Sequence, residues 1–413
     1  MADEVSGDTD TGMSRLALSD DDARARRWFA EETAKLGCEV TVDKMGNQFA
    51  RRAGSLRNGA PMIAMGSHLD TQPRGGRYDG ILGVMAGIEA LKTLNDANYE
   101  TGYDIGVVNW TNEEGARFPV SMVSSGVWAG KIPLEKAWNL ADIFDPSVTI
   151  RSELDRHGFI GQVDCSSDAE TGYPLSAHFE LHIEQGPILE KTGKRIGVVQ
   201  GAQAYKWITV TLTGRDAHTG TTPLHMRSDP LLAAAKMIVS SNAIARGCGA
   251  LASTGVMKIP TNASTNTIAS AVSFSLDIRH PDTGVVADTL RECIKSFNSI
   301  CTEDGKGVTM SWTLDTDSAA VEFDEGCIKA VEMAAKSTVG SAGWAPLTSG
   351  AGHDSVYMST KVPTAMVFVP CRNGISHHPE EYCSPEDCAL GAQTLLEAVV
   401  NYDNMLSRKS NRA

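Results

Sequence analysis

The stretch MIAMGSHLDTQPRGGRYDGILGVMAGIEALKTLN, residues 62–95, decides the fold. It begins with an apolar run, Met62–His68, which ends in polar residues and is typical of a buried β-strand. A Gly-rich loop follows, and Ile81–Leu94 then repeats apolar side chains at helical spacing. A second buried strand is predicted at Asp104–Trp110. Strand, helix and strand in this order, with functional residue types at the strand ends, indicate an open α/β sheet.

The α/β pattern extends on both sides of this stretch. Upstream, a helix is predicted to begin near Asp20 and to end at Gly37, a residue that commonly terminates helices. Downstream, Asp324 caps another predicted helix, and Thr364–Val369 is a buried strand. A last helix is predicted from Ser384 to about residue 406.

A different pattern begins near residue 205. WITVTLT (Trp207–Thr213) alternates as a half-exposed strand does, and Asp229 with Pro230 is typical of a helix start. The predicted elements are the strand Trp207–Thr213, a helix closed by Gly247, the strands Leu251–Ile259 and Ala271–Arg279, a helix near Gly284–Cys301, and the strand Val308–Thr313. This β-α-β-β-α-β order is that of a ferredoxin-like sandwich.

We therefore predict an α/β protein in which a small α+β domain is inserted into a larger domain. The predicted boundaries are a flexible polar leader at 1–15, the first part of the large domain at 16–205, the small domain at 206–316, and the second part of the large domain at 317–413.

Composition excludes several classes of protein. The 413 residues carry 37 Lys and Arg against 51 Asp and Glu, and a net charge of −14 argues against nucleic-acid or anionic-membrane partners. No apolar run of 18 residues that could span a membrane is present in the sequence. The nine cysteines form no C-x-x-C pair, and the acidic N-terminus has no hydrophobic signal core, so we expect a cytoplasmic protein with reduced thiols.

Residue types that bind metals are concentrated in a few short stretches. Three of them are GSHLDTQPRGGRYDG (Gly66–Gly80), NEEGARF (Asn112–Phe118) and LHIEQG (Leu181–Gly186), and a fourth is GISHHPEE (Gly374–Glu381). Each places His, Asp or Glu just after an apolar strand, where an open α/β sheet gathers its ligands. A single histidine in such a place is as often a surface or core residue, but four such stretches are hard to assign to packing alone.

The adjacent carboxylates of Glu113 and Glu114 have two interpretations. A pair of solvated glutamates on a loop is the ordinary one. Two buried carboxylates would repel each other unless a cation compensated them. The presence of His68, Asp79 and His182 in the neighbouring stretches favours a metal ion beside one glutamate and a water near the other.

Six stretches together carry a resemblance to a known family. In chain order they are GSHLDTQPRGGRYDG, WTNEEGARF, LHIEQGP, AHTGTTP, SGAGHDS and GISHHPEE. The chain resembles the hydantoinase/carbamoylase amidases, a branch of the dinuclear zinc aminoacylase and aminopeptidase superfamily, from Arg15 to the final helix. Within that branch it looks most similar to the fungal-type β-ureidopropionases. The resemblance implies a mixed-sheet dizinc catalytic domain and a ferredoxin-like lid and dimerisation domain.

The resemblance implies two divalent metal ions, zinc or else manganese. The implied ligands are one pair for each ion and one bridging carboxylate: His68 and His182, Glu114 and His377, and Asp79. Imidazole nitrogen and carboxylate oxygen are the donors expected for these ions. His378 directly follows His377 and is the alternative ligand, although the family motif favours the first histidine.

Two acidic residues would support these ligands. Glu113 is implied as the general base, which takes a proton from the attacking water and later delivers one to the leaving nitrogen. Asp70 would accept the second imidazole N–H of His68 and so fix its tautomer, although capping a loop is its alternative role.

The resemblance also implies the residues that hold the substrate. Arg279 would bind its carboxylate, with an edge-strand ion pair as the alternative. His218, as a catalytic residue, and Asn266 would hydrogen-bond the scissile carbonyl and the substrate, reaching across from the partner subunit of a homodimer. The remaining implied positions are Gln185 and the backbone of Gly350, Ala351 and Gly352 in the pocket, with Arg227 and His353 supporting them.

The activity implied is hydrolysis of an N-carbamoyl amino acid to the amino acid, carbon dioxide and ammonia. N-carbamoyl-β-alanine, from pyrimidine degradation, is the first expectation, with allantoate and N-carbamoyl-L-α-amino acids as alternatives. A dipeptidase or aminoacylase is a further alternative, but His182 and Gln185 replace the acidic ligand of peptidase relatives. The last alternative is a binding homologue that has lost catalytic activity. The presence of Glu113 argues against it, because such a chain need not keep this residue.

Overall fold

The structure is a computed structural model, and it describes residues 12–56, 59–259, 263–303 and 306–410. Most of the predicted leader therefore lies outside the described residues. The chain forms two compact units. The large unit comprises the chain up to Gly201 and from Glu322 onward, and the small unit comprises Ala202–Val321. The small unit is thus a few residues longer at each end than the predicted domain at 206–316.

Strands and helices follow one another along both units of the chain. The strands in chain order are β1 (Glu39–Val42), β2 (Gln48–Arg52), β3 (Met62–His68), β4 (Ile105–Trp110), β5 (Leu175–Ile183), β6 (Ile196–Ala202), β7 (Ala204–Thr213), β8 (Ala217–His218), β9 (Leu251–Ser253), β10 (Met257–Lys258), β11 (Thr267–Ile268), β12 (Ala271–His280), β13 (Thr309–Ser318), β14 (Val321–Glu322), β15 (Trp344–Ser349) and β16 (Thr364–Val369). The helices are α1 (Asp20–Lys35), α2 (Ile81–Asp96), α3 (Val123–Trp128), α4 (Leu134–Trp138), α5 (Ile150–His157), α6 (Ile188–Thr192), α7 (Pro230–Cys248), α8 (Thr283–Glu303), α9 (Glu325–Val339), α10 (Asp354–Met358) and α11 (Pro385–Ser410).

The large unit is built on one mixed sheet. Its strand order is β1-β2-β4-β3-β5-β16-β6-β14, and β15 pairs with β6. The central strands β4, β3, β5 and β16 run parallel to one another, with His68 opposite Trp110 and His182 opposite Phe368. Because the carboxyl ends of parallel strands lie at the same edge of a sheet, the polar residues that follow these strands are gathered there.

Both faces of the sheet are covered, which explains why its central strands are continuous apolar runs. Every residue of β3 and of β16 is buried. On one face Ile63 and Met65 pack with residues of α2, α9 and α11. On the other face Ala64 packs with the segment that contains α3, α4 and α5. The predicted α/β sheet is confirmed, although the sequence pattern did not predict these three short helices.

The small unit has the predicted ferredoxin-like connectivity. Its sheet has the order β10-β12-β7-β13, with antiparallel pairing of β12 and β13 to β7, and β9 joins it on β12. Phe274 and Ile278 of β12 pack in one core with Met237 of α7 and Phe297 of α8. The fold class predicted from the sequence is therefore confirmed.

Some predicted element boundaries were wrong. The strand predicted at Leu251–Ile259 is two short strands, because the Ser275 side chain and backbone bond the backbone of Val256 and break the regular ladder. The last helix continues beyond the predicted end near Leu406 to Ser410. Among the described residues, no helix is long and apolar enough to cross a lipid bilayer.

Candidate metal centre

Two groups of potential metal ligands lie at the carboxyl edge of the large sheet. The first group consists of His68, Asp79 and His182, whose ligand atoms all lie within 4.8 Å of one another. The Nε2 atoms of His68 and His182 are 3.4 and 3.1 Å from Oδ1 of Asp79. All three side chains are buried.

The second group consists of Asp79, Glu114 and His377. His377 Nε2 is 3.5 Å from Oδ2 of Asp79 and 3.4 Å from Oε2 of Glu114. Asp79 thus presents one carboxylate oxygen to each group. The structure brings together the five residues implied as ligands, in the arrangement of two sites with one shared carboxylate.

The structure distinguishes the two adjacent histidines. His377 faces the two carboxylates, whereas His378 Nδ1 accepts the backbone N–H of Glu380 at 3.2 Å. The choice of the first histidine in the motif therefore agrees with the geometry.

Gly80 is needed for the position of His68. It has φ = +66°, and a Cβ at this position would lie 2.3 Å from ring atoms of His68. It directly precedes α2, so the loop that carries Asp79 passes against the imidazole before the helix begins. Only glycine has both the conformational freedom and the small size that this close approach requires.

Three other residues at the site have positive φ without being glycine. They are Asn112 (57°), Gln185 (54°) and His377 (55°). Each lies next to or among the candidate site residues, since Asn112 immediately precedes Glu113. A left-handed conformation of such residues costs roughly 1–3 kcal/mol and is maintained only where the surrounding structure enforces it.

The tautomers of the two buried histidines follow from their Nδ1 partners. His68 Nδ1 is 2.9 Å from the carbonyl oxygen of Asp70, and His182 Nδ1 is 2.9 Å from that of Ile183. A carbonyl oxygen can only accept, so Nδ1 carries the proton and Nε2 is left with a lone pair for a metal ion.

One expectation for Asp70 was wrong in detail. Its carboxylate is 3.9 Å from His68 Nδ1, so the imidazole donates to the Asp70 carbonyl and not to the side chain. The carboxylate instead accepts the backbone N–H groups of Glu113 and Glu114, each at 3.3 Å. Asp70 therefore holds the backbone of the glutamate pair.

The two glutamates face different neighbours. Glu113 Oε2 lies 3.5 Å from Nε2 of His68, while Glu114 is oriented by Gln72, whose Nε2 donates to Oε2 at 2.7 Å. Burial raises the pKa of Glu113 well above its usual value, and Asp354 and Glu114 raise it further against the opposing effect of His68. Burial and Asp79 raise the pKa of Glu114 to about 7.

Asp79 and the histidines around it shift each other's pKa values in opposite directions. Burial alone would raise the pKa of Asp79, but the neighbouring histidines, His182 foremost, hold it well below its usual value. The hydrogen bond to Asp79 raises the pKa of His377 to about 9, and carboxylates around the buried His68 raise its pKa despite desolvation.

These donors fit divalent cations. Buried carboxylates with raised pKa values lie among imidazoles whose Nε2 atoms point inward, and a dication would compensate the negative charge of both groups. Nitrogen and oxygen donors without thiolate suit zinc or manganese in a site with open positions.

Gln185 lies closer to the metal ligands than expected. Its Nε2 donates to Asp79 Oδ2 at 2.8 Å and to Ser376 Oγ at 3.0 Å. The amide thus orients the shared carboxylate, a contact that the assignment to the substrate pocket did not include.

The Gly350–Gly352 loop and His353 lie between β15 and α10 of the same unit. Ser349 Oγ lies 2.9 Å from His353 Nε2 and accepts the backbone N–H of Ala351 at 3.1 Å. The His353 ring contacts that of His182 edge-on, with centroids 4.6 Å apart. His353 therefore supports a candidate ligand through ring packing.

Four of the candidate residues lie in the small unit. His218 in β8 pairs with β11, and its Nδ1 accepts the backbone N–H groups of Gly220 and Thr221. The Asn266 carbonyl accepts the backbone N–H of Thr219, and Arg227 donates to the carbonyls of Thr219 and Thr222. The structure thus brings His218, Asn266 and Arg227 together in one loop cluster.

Arg279 lies elsewhere in the small unit, at the end of β12. Its guanidinium forms an ion pair with Asp277 at 2.8 Å and lies over the ring of Tyr205. The ion pair that we considered as its alternative role is therefore present, and it fixes the orientation of the guanidinium.

Three polar residues at the centre were not among the candidates. Gln72 bonds Glu114, and both Ser376 and Glu381 contact the Asp79 segment. All three belong to the stretches rich in metal-ligand residue types, Gly66–Gly80 and Gly374–Glu381, so their place in these strand-end loops was the available signal.

Most of the chain matches a known protein family. The family described as "Peptidase family M20/M25/M40" matches residues 64–401, most of the chain. The chain belongs to the M20 peptidase family. Members of this family are metal-dependent, which agrees with the two ligand groups around Asp79.

Relatives place this M20 chain among the hydantoinase/carbamoylase amidases. An N-carbamoyl-L-amino-acid amidohydrolase of Rhizobium meliloti is 41% identical over 94% of this chain and 91% of its own length. An allantoate amidohydrolase of Bacillus subtilis is 31% identical over 94% and 92%. The crystal structure of a hydantoinase/carbamoylase family amidase from Burkholderia multivorans is 42% identical, with a TM-score of 0.84 over 96% of this chain and 94% of that one.

These relatives show that the M20 chain is a hydrolase and an amidase of the hydantoinase/carbamoylase type. They favour the alternative that the sequence left open, an N-carbamoyl-L-amino-acid amidohydrolase, over the first expectation of a β-ureidopropionase.

Proposed function

We propose that this protein hydrolyses N-carbamoyl-L-α-amino acids to the free amino acid, carbon dioxide and ammonia. The main support for this proposal is the pair of ligand groups that share Asp79. Glu113 lies beside these groups but is a member of neither. The likeness to the Rhizobium meliloti enzyme over nearly the whole of both chains supports the choice of substrate class.

The donor set would hold two divalent ions, zinc or else manganese. When bound, such ions polarise a substrate carbonyl and make water more acidic. Glu113, with its carboxylate 3.5 Å from His68 Nε2, accepts the proton of the attacking water and later donates one to the leaving nitrogen. In the metal-free site burial is the main cause that raises the pKa of Glu113, and a dication bound beside it would favour the carboxylate form that accepts a proton.

The small unit supplies the groups that bind the rest of the substrate. Arg279, held by Asp277, binds the carboxylate of the amino acid through its guanidinium. His218 donates a hydrogen bond to the carbonyl oxygen on which negative charge develops, and Asn266 contacts the substrate beside it. Arg227 positions this cluster through its bonds to the backbone at Thr219 and Thr222.

We propose that these small-unit groups act across a homodimer formed through the small unit. Apolar side chains exposed on this unit, such as Leu224 (80%) and Val239 (71%), supply surface that an interface would cover. A co-expressed mixture of Glu113→Gln and His218→Ala chains tests the arrangement, since a mixed dimer would contain one intact site. About a quarter of wild-type activity should return with random pairing. No recovery from mixed dimers means that His218 serves its own chain.

An ammonia-release assay tests the substrate class. The purified protein, supplied with zinc or manganese, is given N-carbamoyl-L-alanine, N-carbamoyl-D-alanine, N-carbamoyl-β-alanine, allantoate and a dipeptide. We expect the highest kcat/KM with the L-α compound and little release from its D enantiomer. Dipeptide cleavage without release from any ureido compound would overturn the proposal.

Allantoate is the second candidate substrate because the Bacillus subtilis relative is named an allantoate amidohydrolase. N-carbamoyl-β-alanine and a role in pyrimidine degradation stay predictions that the same assay measures. In the β compound one more methylene separates the ureido nitrogen from the carboxylate than in the α compounds. A difference of one methylene changes binding by only about 1–3 kcal/mol, so the assay must compare kcat/KM values. A cytoplasmic location is also part of this proposal.

A further inference from the structure

Glu381 connects the two loops that carry candidate metal ligands. Its side chain is buried, and its Oε1 accepts the backbone N–H groups of both Tyr78 and Asp79 at 3.0 Å. Its own backbone N–H donates to the carbonyl of His378, in the turn directly after His377. One carboxylate therefore joins the segment of the shared ligand to the segment of a terminal ligand.

The other oxygen of Glu381 reaches the Asp79 side chain through one hydroxyl. Ser376 Oγ lies 3.0 Å from Glu381 Oε2 and 3.0 Å from Asp79 Oδ2. Glu381 thus supports Asp79 directly at the backbone, and the Ser376 hydroxyl, which has one proton to donate, lies between the two carboxylates. Because Asp79 presents one oxygen to each ligand group, a shift of its segment would disturb both groups.

The loop that contains Gly76 passes close to the Glu381 carboxylate. A Cβ built on Gly76 would lie 2.0 Å from Glu381 Oε1, so the loop touches the side chain as it passes. Gly76 is not among the residues with positive φ, and so its small size is what the position requires. Gly76 and Glu381 are therefore in direct contact.

We propose that Glu381 is a positioning residue for the metal pair, which holds Asp79 between the two ion positions without binding an ion itself. This inference goes beyond the proposed function, because it does not depend on which ureido compound is cleaved. Residues that orient a metal ligand typically contribute about 10–100-fold to metal affinity or activity.

The chain offers a matched control in Asp403. Asp403 is 2% exposed, as is Glu381, and its carboxylate accepts the consecutive backbone N–H groups of Gly102 and Tyr103 at 2.9 and 2.7 Å. That contact joins α11 to the segment before β4 and includes none of the candidate ligands. Loss of either carboxylate removes the acceptor of two consecutive backbone N–H groups that are at least partly buried, so both variants should lower stability by the same physical cause.

The experiment measures zinc affinity and the melting temperature of the metal-free full-length chain. Zinc is titrated against a chromophoric chelator into wild type, Glu381→Ala, Glu381→Gln and Asp403→Ala. We expect Glu381→Ala to weaken the binding of both ions by about 10–100-fold. Glu381→Gln should retain most of the affinity, because the amide oxygen can accept the same two N–H groups. Asp403→Ala should lower the melting temperature and leave zinc affinity unchanged.

Wild-type zinc affinity in a folded Glu381→Ala, or an equal loss of affinity in Asp403→Ala, would overturn the proposal. If Glu381→Ala does not fold, Gly76→Ala displaces the same carboxylate from the opposite side and should weaken zinc binding. Undiminished zinc affinity in Gly76→Ala then counts against the proposal. Neither readout uses substrate, so an error in the proposed substrate class would leave this test intact.

Discussion

Replacing Glu113 by glutamine should remove most of the turnover while leaving the metal sites intact. Glu113 is buried, and its Oε2 lies 3.5 Å from Nε2 of the candidate ligand His68. It belongs to neither ligand group. Glutamine has almost the same volume and shape, so the packing around the site should be preserved, but its amide cannot accept a proton.

The expected loss follows from the role of a general base. Such a group contributes about 10²–10⁴ to kcat, equivalent to about 3–5 kcal/mol of activation free energy. KM should change little, because Glu113 does not hold the substrate carboxylate. The melting temperature of the metal-free protein should not fall, because the substitution removes a carboxylate whose ionisation is opposed by burial and by Asp354.

The assay is ammonia release from N-carbamoyl-L-alanine, with metal content measured on the same samples. Glu114→Gln is the matched control, since it makes the same chemical change one residue away in a member of a ligand group. It should lower the metal content, whereas Glu113→Gln should not. A Glu113→Gln protein with metals bound and a kcat within tenfold of wild type would show that another group takes the proton.

Three further results are expected. Asp79→Asn should weaken the binding of both metal ions, whereas Glu114→Gln should weaken the binding of one. Zinc titration measures both affinities, and equal effects of the two substitutions would contradict a shared carboxylate. Gly80→Ala should cost about 1–3 kcal/mol of folding stability, because the backbone at this position has φ = +66° and ψ = −50°, and should also lower zinc affinity by displacing His68, whose ring would lie 2.3 Å from the new Cβ. Zinc binding should release protons at pH 7 and tighten as the pH rises toward 9, because Asp79 raises the pKa of His377 to about 9 and the metal must displace that proton. Calorimetry in two buffers of different ionisation enthalpy measures the release, and zero protons would be inconsistent with this charge state.

The parts of the fold that the sequence predicted best are those with a strong local signal. Met62–His68 and Thr364–Val369 were predicted with their observed bounds, because strands buried on both faces are continuous apolar runs. The start of α7 was also predicted, since the Asp229 side chain accepts the backbone N–H of Leu232 as an N-cap should.

Elements stabilised by tertiary packing could not be predicted in the same way. Helices α3, α4 and α5 have five to eight residues each, too few for a clear apolar period, and they depend on packing against the sheet. The break at Val256 likewise depends on a side chain from another strand, that of Ser275.

The same distinction applies to the candidate site. The ligand types were visible because His, Asp and Glu follow apolar strands whose parallel ends must converge. The contacts of the Asp70 carbonyl and of Glu381 were not visible, because they involve backbone groups that every residue possesses. Residue types therefore indicated which chemistry was present, and three-dimensional structure was needed to show what holds it in place.

The arrangement of the site implies that one carboxylate, that of Asp79, is shared between two metal ions. Anomalous diffraction from a crystal of the zinc-loaded protein tests it most directly. We expect two peaks on either side of Asp79, one also contacted by His68 and His182, the other by Glu114 and His377. A single peak, or two peaks of which one does not contact Asp79, would contradict it.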